Sequence, residues 1–361
     1  MTEAEMRATY AGRRVLVTGH TGFKGGWLCL WLRDLGANVT GYGLPPSTAP
    51  SLFADARIAS LVCSVEGDIR DRAALDRVWN DAEPEIVFHL AAQSLVRESY
   101  HDPLSTLETN VIGTANVLEL ARTRGARIAL VIVTSDKCYE NRESDRAYRE
   151  TDPLGGHDLY SASKAATELV AASYRRSFFE REEALVSMAT ARAGNVIGGG
   201  DWADGRLVPD CIRSLEAETP VALRNPEAVR PWQHVLDPLS GYMQLGSRLL
   251  STDRAVRQSA QGAWNFGPAG DNARSVREVA ESIGREWGRG EWIDASDPTA
   301  PHEAGTLRLS VEKASASLGW IGRWDFEESI RRTVDWYRAR HERDAAHLCV
   351  SQINDYSPVA A

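Results

Sequence analysis

Leu130-Val-Ile-Val-Thr-Ser-Asp-Lys-Cys-Tyr139 and, after a polar loop, Tyr160-Ser-Ala-Ser-Lys164 decide how the rest of the chain reads. The β-branched run Val131-Ile132-Val133 breaks into Thr134-Ser135-Asp136-Lys137, as a buried parallel strand does when its C-terminal end faces a ligand. Tyr160 and Lys164 are four residues apart and share one face of a predicted helix. A cation beside a phenol favours the phenolate, so Tyr160 is expected to act as a base nearer neutral pH than its reference pKa of about 10. Ser135 would complete a relay to a substrate alcohol. Tyr-x-x-x-Lys alone is weak, since exposed helix residues give the same pattern. It becomes strong after such a strand, in a chain that opens as this one does.

The opening is Arg13-Arg14-Val15-Leu16-Val17-Thr18, a strand pattern, then Gly19-His20-Thr21-Gly22-Phe23-Lys24-Gly25 and an apolar helix from Trp27 to Leu35. Glycines at 19, 22 and 25 let the backbone approach a pyrophosphate, and the helix N-terminus offers its free N–H groups to the anion. Thr21, Phe23 and Lys24 belong to the same candidate cofactor loop; for Lys24 a phosphate contact and an exposed first-turn lysine are equal alternatives. The second strand, Asn38 to Gly43, lacks the acid that would grip an adenosine ribose, so this motif alone does not separate NAD from NADP. Asp68-Ile69 follows a third strand; Asp68 would meet the adenine edge or cap the helix from Ala73. The fourth strand ends in Leu90-Ala91-Ala92-Gln93-Ser94, small enough to admit a ribose or a flat ring, with tight packing as the alternative. Asn110, polar within an apolar helix spanning about 104–122, should need a partner.

The 361 residues suffice for a large domain and a smaller one. A net charge of −9 argues against a general nucleic-acid or anionic-membrane binder. Five scattered cysteines without a C-x-x-C pair fit reduced thiols in the cytoplasm. No signal core, membrane span or metal-ligand cluster is read from the sequence.

Six strands alternating with helices predict an α/β fold, a Rossmann-type doubly wound parallel sheet over residues 1–194. Residues 195–342 would form mainly a smaller substrate-binding domain, with some segments returning to the sheet, and 343–361 a peripheral tail. Another strand is expected over 262–267. Arg224, Arg230 and Trp232 would clamp a diphosphate and stack a base. Gln93, Ser94, Asn195, Arg206, Arg230 and Trp232 are the candidate substrate residues.

These pieces together resemble the extended short-chain dehydrogenase/reductase family over nearly the whole chain. Gly19-x-x-Gly22-x-x-Gly25, Ser135 and Tyr160-x-x-x-Lys164 match its cofactor loop and catalytic trio. Within it the chain looks like the nucleotide-sugar 4,6-dehydratases. Those carry Thr-Asp-Glu where this sequence has Ser135-Asp136-Lys137. Their hydroxyl assists the tyrosine, the aspartic acid protonates the departing 6-hydroxyl, and the glutamate takes the C5 proton. The lysine at 137, with Gly19-His-Thr-Gly-Phe-Lys-Gly-Gly-Trp27 and Gly194-Asn-Val-Ile-Gly-Gly-Gly-Asp-Trp202, is similar to the CDP-glucose branch of those dehydratases. The resemblance implies tightly held NAD, a homodimer or homotetramer, and a place in deoxysugar synthesis for bacterial surface polysaccharides.

It also implies a three-part reaction. Tyr160, helped by Lys164 and Ser135, removes the O4 proton as C4 gives hydride to NAD. C5 then loses its proton while Asp136 protonates O6, and hydride returns to C6. An ammonium cannot accept a proton, so Lys137 as the C5 base needs a depressed pKa, which burial and Lys164 would supply. Otherwise Lys137 stabilises the enolate as a cation and another group takes the proton. A 4-epimerase or 4-reductase would need the Tyr/Lys/Ser trio without an acid for O6, and Asp136 argues against both. A non-catalytic NAD-binding protein would need none of these residues intact.

Overall fold

A computed structural model describes residues 1–143, 146–268, 272–297 and 306–357. Its strands are β1 (Arg14–Thr18), β2 (Asn38–Gly43), β3 (Cys63–Glu66), β4 (Ile86–His89), β5 (Ile128–Val133), β6 (Val186–Ala193), β7 (Asn195–Ile197), β8 (Val221–Leu223), β9 (Val229–His234), β10 (Gly262–Phe266), β11 (Ala273–Ser275) and β12 (Trp292–Asp294). Seven of them form one sheet in the spatial order β3-β2-β1-β4-β5-β6-β10. Every pairing in it is parallel. All residues of β4, β5 and β6 are buried, which explains why β5, Ile-Ala-Leu-Val-Ile-Val, is a continuous apolar run rather than an alternating one.

Helices cover both faces. Trp27 and Trp31 of helix Phe23–Asp34 share one core with Leu239, Tyr242 and Met243 of helix Leu236–Leu250. Leu75, Val117, Leu118 and Ala171, from three other helices, fill the second core. The strand order reverses between β1 and β4, and such a switch opens a crevice at the strand C-termini. Two small sheets, β11-β9-β7 and β12-β8, are built mostly from the segment between β6 and β10 and from residues after it, and β7, β8 and β9 contribute to the crevice's outer wall.

The expected doubly wound sheet is present, with a seventh strand. β10 is the strand expected over 262–267, and it pairs with β6 at the sheet edge. Helix Leu236–Leu250 likewise packs on β4, β5 and β6. Residues after 195 therefore supply a strand and a flanking helix to the sheet.

Two sequence readings need correction. The helix over 104–122 is broken into Pro103–Leu107, a wide π-turn Glu108–Ile112 and Gly113–Thr123. The Asn110 carbonyl in that turn accepts the hydroxyls of Thr114 (2.7 Å) and Thr167 (2.9 Å), so a tertiary contact stabilises the wide turn. The tail is not peripheral as far as Ser357. Ala345–Tyr356 is a helix capped by Asp344, and its residues 345, 348, 349, 353 and 356 are buried. That spacing is a helical stripe, and it lies against helix Phe23–Asp34, with the rings of Tyr356 and Trp31 edge to face at 5.7 Å.

Candidate active site

A cleft of about 880 Å³ runs along the strand C-termini. Its inner wall begins where β1 turns at Gly19, whose φ is +74°. A β-carbon at Gly19 would lie 2.6 Å from the Ala91 nitrogen, and one at Gly25 would lie 2.1 Å from the Gly19 carbonyl oxygen. Only glycine fits either position. Helix Phe23–Asp34 starts at Gly22 without a side-chain cap, so its first turn is open to an anion. Gly41 of β2 has a similar cause: a β-carbon there would strike the His20 ring at 2.3 Å. Past β2 the wall is Gly43-Leu44-Pro45-Pro46-Ser47-Thr48, which carries neither an acid nor a cation.

Thr21, Gly22, Phe23, Lys24, Asp68, Ile69, Leu90, Ala91 and Ala92 line the same cleft. Asp68 is held by Arg70 at 2.6 Å, while the helix cap weighed for it belongs to Asp71. Thr21 donates to the Leu44 carbonyl at 2.8 Å, joining the glycine loop to the β2 wall. This cradle fits a dinucleotide: it has room that any side chain would fill, and an uncapped helix end.

β5 delivers the reactive group. Ser135 caps a single 3-10 turn, Asp136–Cys138, accepting the Lys137 N–H at 3.2 Å and donating to Asp136 Oδ1 at 3.0 Å. Asp136 is buried, and burial raises its carboxyl pKa against the pull of Lys137, Ser135, Arg230 and Lys24. The acid form is therefore favoured more than in an ordinary carboxyl group. Asp158 caps helix Leu159–Tyr174, which brings Tyr160 and Lys164 to the cleft on one face. Lys164 donates to the Val133 carbonyl at 3.5 Å. Burial draws Lys164 down to about 8, against the opposing influence of Glu168.

The expectation for Tyr160 is corrected. Burial pushes its phenol up to about 12, and the Ser135 hydrogen bond only partly opposes it. Desolvation of the phenolate outweighs the nearby cations in the protein by itself.

Lys24 does more than the sequence suggested. Burial, Arg206 and Lys164 draw its ammonium down to about 8, while Asp136 and Asp201 act the other way. It thus faces Asp136 as well as the glycine loop. No periodicity or motif announces this, because Lys24 and Asp136 are 112 residues apart and meet only across the cleft they both line. Lys137 lies half-buried on the cleft wall.

Ser94, Asn195, Arg206, Arg230 and Trp232 also line the cleft. Arg206 bridges its two sides, donating to Asp201 at 2.9 Å and to Ser94 Oγ at 3.1 Å. Arg224 donates to the Gly205 carbonyl at 2.6 Å. Gln93 is not on the wall. Its amide donates to the Leu95 carbonyl and the Thr106 hydroxyl, both at 3.0 Å, and its backbone is gripped by Asn110. Asn110 also donates to Ser163, on the helix that carries Tyr160 and Lys164, at 2.8 Å. The partner that Asn110 needed is this loop, and Gln93 shapes the site from behind.

The profile of the GDP-mannose 4,6 dehydratase family matches residues 16–333. The chain belongs to that family. A CDP-glucose 4,6-dehydratase of Salmonella typhimurium is 46% identical over 352 residues, covering 96% of this chain and 97% of the relative. An epimerase structure from Methanothermobacter thermautotrophicus superposes with a TM-score of 0.78 at 26% identity, over 94% of this chain and 96% of the other. A UDP-glucose 4-epimerase of Thermus thermophilus in complex with NAD superposes with a TM-score of 0.76 at 27% identity, over 90% and 99%. The family resemblance read from the glycine loop and Tyr160-x-x-x-Lys164 is borne out across nearly the whole chain.

Proposed function

We propose that this chain is an NAD-dependent hydro-lyase that converts CDP-D-glucose to CDP-4-keto-6-deoxy-D-glucose and water. The observation that carries the chemistry is Asp136, a buried carboxyl whose pKa is raised beside the Ser135/Tyr160/Lys164 group. Epimerisation or simple reduction at C4 has no use for such an acid. The 46% identity over 96% of the chain to a CDP-glucose 4,6-dehydratase supports the nucleotide.

Gly19, Thr21, Gly22, Phe23, Lys24 and Gly25 would hold the pyrophosphate of NAD, with Asp68, Ile69, Leu90, Ala91 and Ala92 around its adenosine. The β2 wall brings no cation for a 2′-phosphate, which favours NAD over NADP. NAD supplies the acceptor for hydride from C4 and the donor of hydride to C6. Tyr160 takes the O4 proton through its contact with Ser135, and the Lys164 ammonium stabilises the phenolate. Asp136 gives its proton to O6 as that oxygen leaves. Lys137, on the cleft wall, takes the C5 proton. Elimination then leaves an Asp136 carboxylate, which Lys137, Ser135, Arg230 and Lys24 each favour. Ser94, Asn195, Arg206, Arg230 and Trp232 would hold the nucleotide sugar, with the arginines on its diphosphate.

The chain is further proposed to act as a homodimer in the cytoplasm, in deoxysugar synthesis. Leu104, Ile112 and Leu169 are 70%, 54% and 61% exposed on neighbouring helices, an apolar surface that a second copy would cover. Sedimentation of the purified protein tests this.

The reaction is tested by incubating protein and NAD with CDP-glucose, dTDP-glucose, GDP-mannose and UDP-glucose in parallel, scoring loss of water by mass. Turnover of CDP-glucose alone is expected. Product from another nucleotide only would overturn the substrate, and an epimer without water loss would overturn the role of Asp136. Lys137→Met should abolish deuterium wash-in at C5; retention near the wild-type rate rules it out as base.

A further inference from the structure

We propose that Glu168 is a positioning residue for this reaction: its buried carboxylate is the counter-ion that keeps Lys164 an ammonium, and it anchors the end of β5. The proposal rests on the dehydratase reading for its kinetic consequence but not for its titration.

Glu168 lies one helical turn beyond Lys164, two turns beyond Tyr160, on helix Leu159–Tyr174. Its carboxylate is fully engaged. Oε1 accepts the Thr134 hydroxyl at 2.5 Å, directly before Ser135. Oε2 accepts the Thr190 hydroxyl at 2.7 Å and Arg192 Nη2 at 2.8 Å, both from β6. The Glu168 and Arg192 side chains are each 3% exposed. Arg192 goes on to donate to the Tyr139 hydroxyl at 2.7 Å, which donates to Asn265 Oδ1 of β10 at 2.7 Å. One carboxylate thus joins the catalytic helix, the end of β5 and β6, and through Arg192 the residue that follows the Asp136–Cys138 turn.

A buried ion pair is by itself weak reason for function, since apolar residues often replace one without loss of stability. Its position relative to Lys164 supplies the reason. Lys164 is faced by the Val133 carbonyl and Cys138 at the end of β5, by His89 at the end of β4, by Lys24 from the glycine-loop helix, and by Glu168 and Tyr160 on its own helix. Burial holds the Cys138 thiol and the Tyr160 phenol up and His89 down to about 3, so all three are neutral near pH 7. Lys24 opposes a charge on Lys164. The carboxylate in this set is Glu168, where Arg192 and two hydroxyls outweigh the burial that would raise its pKa. An ammonium that must stay charged against burial and a second lysine needs that anion.

Glu168→Gln keeps the size and hydrogen-bonding atoms and removes the charge. Two readouts follow: the pH dependence of trace acetylation of Lys164, measured by peptide mass spectrometry, and the alkaline limb of kcat with CDP-glucose. Without the anion, Lys164 releases its proton at lower pH, so both inflections should move down by about 1 pH unit or more. At neutral pH kcat should fall about tenfold or more, with KM for CDP-glucose nearly unchanged. Thr190→Val, which removes a hydrogen bond but no charge, should leave both inflections in place. If Glu168→Gln does not fold, Glu168→Gln/Arg192→Gln removes anion and cation together, and its Lys164 inflection should still fall. An unmoved Lys164 inflection, with only a loss of thermal stability, would overturn the proposal. Failure of wild-type protein to dehydrate CDP-glucose would overturn the dehydratase reading instead, and the acetylation titration would still report on Glu168.

Discussion

Asp136 occupies the space that a side chain at residue 194 would fill: a β-carbon on Gly194 would come within 2.8 Å of Asp136 Oδ2. The glycine that follows β6 is therefore bare to admit Asp136, the proposed acid, which follows the end of the neighbouring strand. Gly194→Ala should displace Asp136 and lower kcat by about 10- to 100-fold. The protein should still fold, destabilised by about 1–3 kcal/mol as in other overpacked sites. Steady-state rates and urea unfolding of the variant check both.

Asp136→Asn separates oxidation at C4 from elimination. Hydride should still leave C4, but with no acid for O6 turnover should fall by about 10²- to 10⁴-fold. Adding CDP-glucose to the variant should therefore build up reduced-nicotinamide absorbance without a matching loss of water. Wild-type turnover without such accumulation would be the control. A variant that dehydrates at the wild-type rate would remove Asp136 from the mechanism.

Asp237 sets a pH dependence of stability away from the cleft. It is buried, accepts the Tyr356 hydroxyl at 2.7 Å and the Arg323 N–H at 2.8 Å, and burial raises its pKa from 3.8 to about 6. A raised carboxyl pKa means that the folded protein keeps a proton the unfolded chain releases. Its contribution therefore falls as pH rises from about 4 to about 6, by up to about 3 kcal/mol, and is level above that. In Asp237→Asn this slope should vanish, seen as a difference between variant and wild type in urea unfolding across that window.

Tyr356→Ala should cost about 3–5 kcal/mol. It removes a ring set edge to face against Trp31 and Trp324 and withdraws the donor from Asp237. Tyr356→Phe, which loses the hydroxyl alone, should cost about 1–2 kcal/mol. A chain ended at Arg343 should fare worse than either variant by differential scanning calorimetry.

The parts of the site carried by local pattern were legible in the sequence. The glycine loop is fixed by backbone approach, and Tyr160 and Lys164 by helical spacing, so both could be read without a structure. What depends on packing between distant segments was not. Gln93 looked like a ligand because of its place at a strand end, but Asn110, seventeen residues later, turns it inward. Lys24 looked like a phosphate contact because nothing in its neighbourhood hints at Asp136. Tyr160 looked like a ready base because a nearby cation is visible in a sequence and desolvation is not. The fold followed the same division: the parallel sheet was evident from its apolar runs, whereas the site of β10 within it depended on a partner some seventy residues earlier.

That strand also bears on how the chain is made. The far edge of β6 has no partner until Gly262–Phe266 has been synthesised, long after the rest of the sheet has left the ribosome. Such an edge is buried along its whole length in the folded protein, and left unpaired it is the kind that recruits other strands. Nascent chains shorter than about 266 residues would carry an open template for aggregation, and a fragment ending at 194 would carry it permanently.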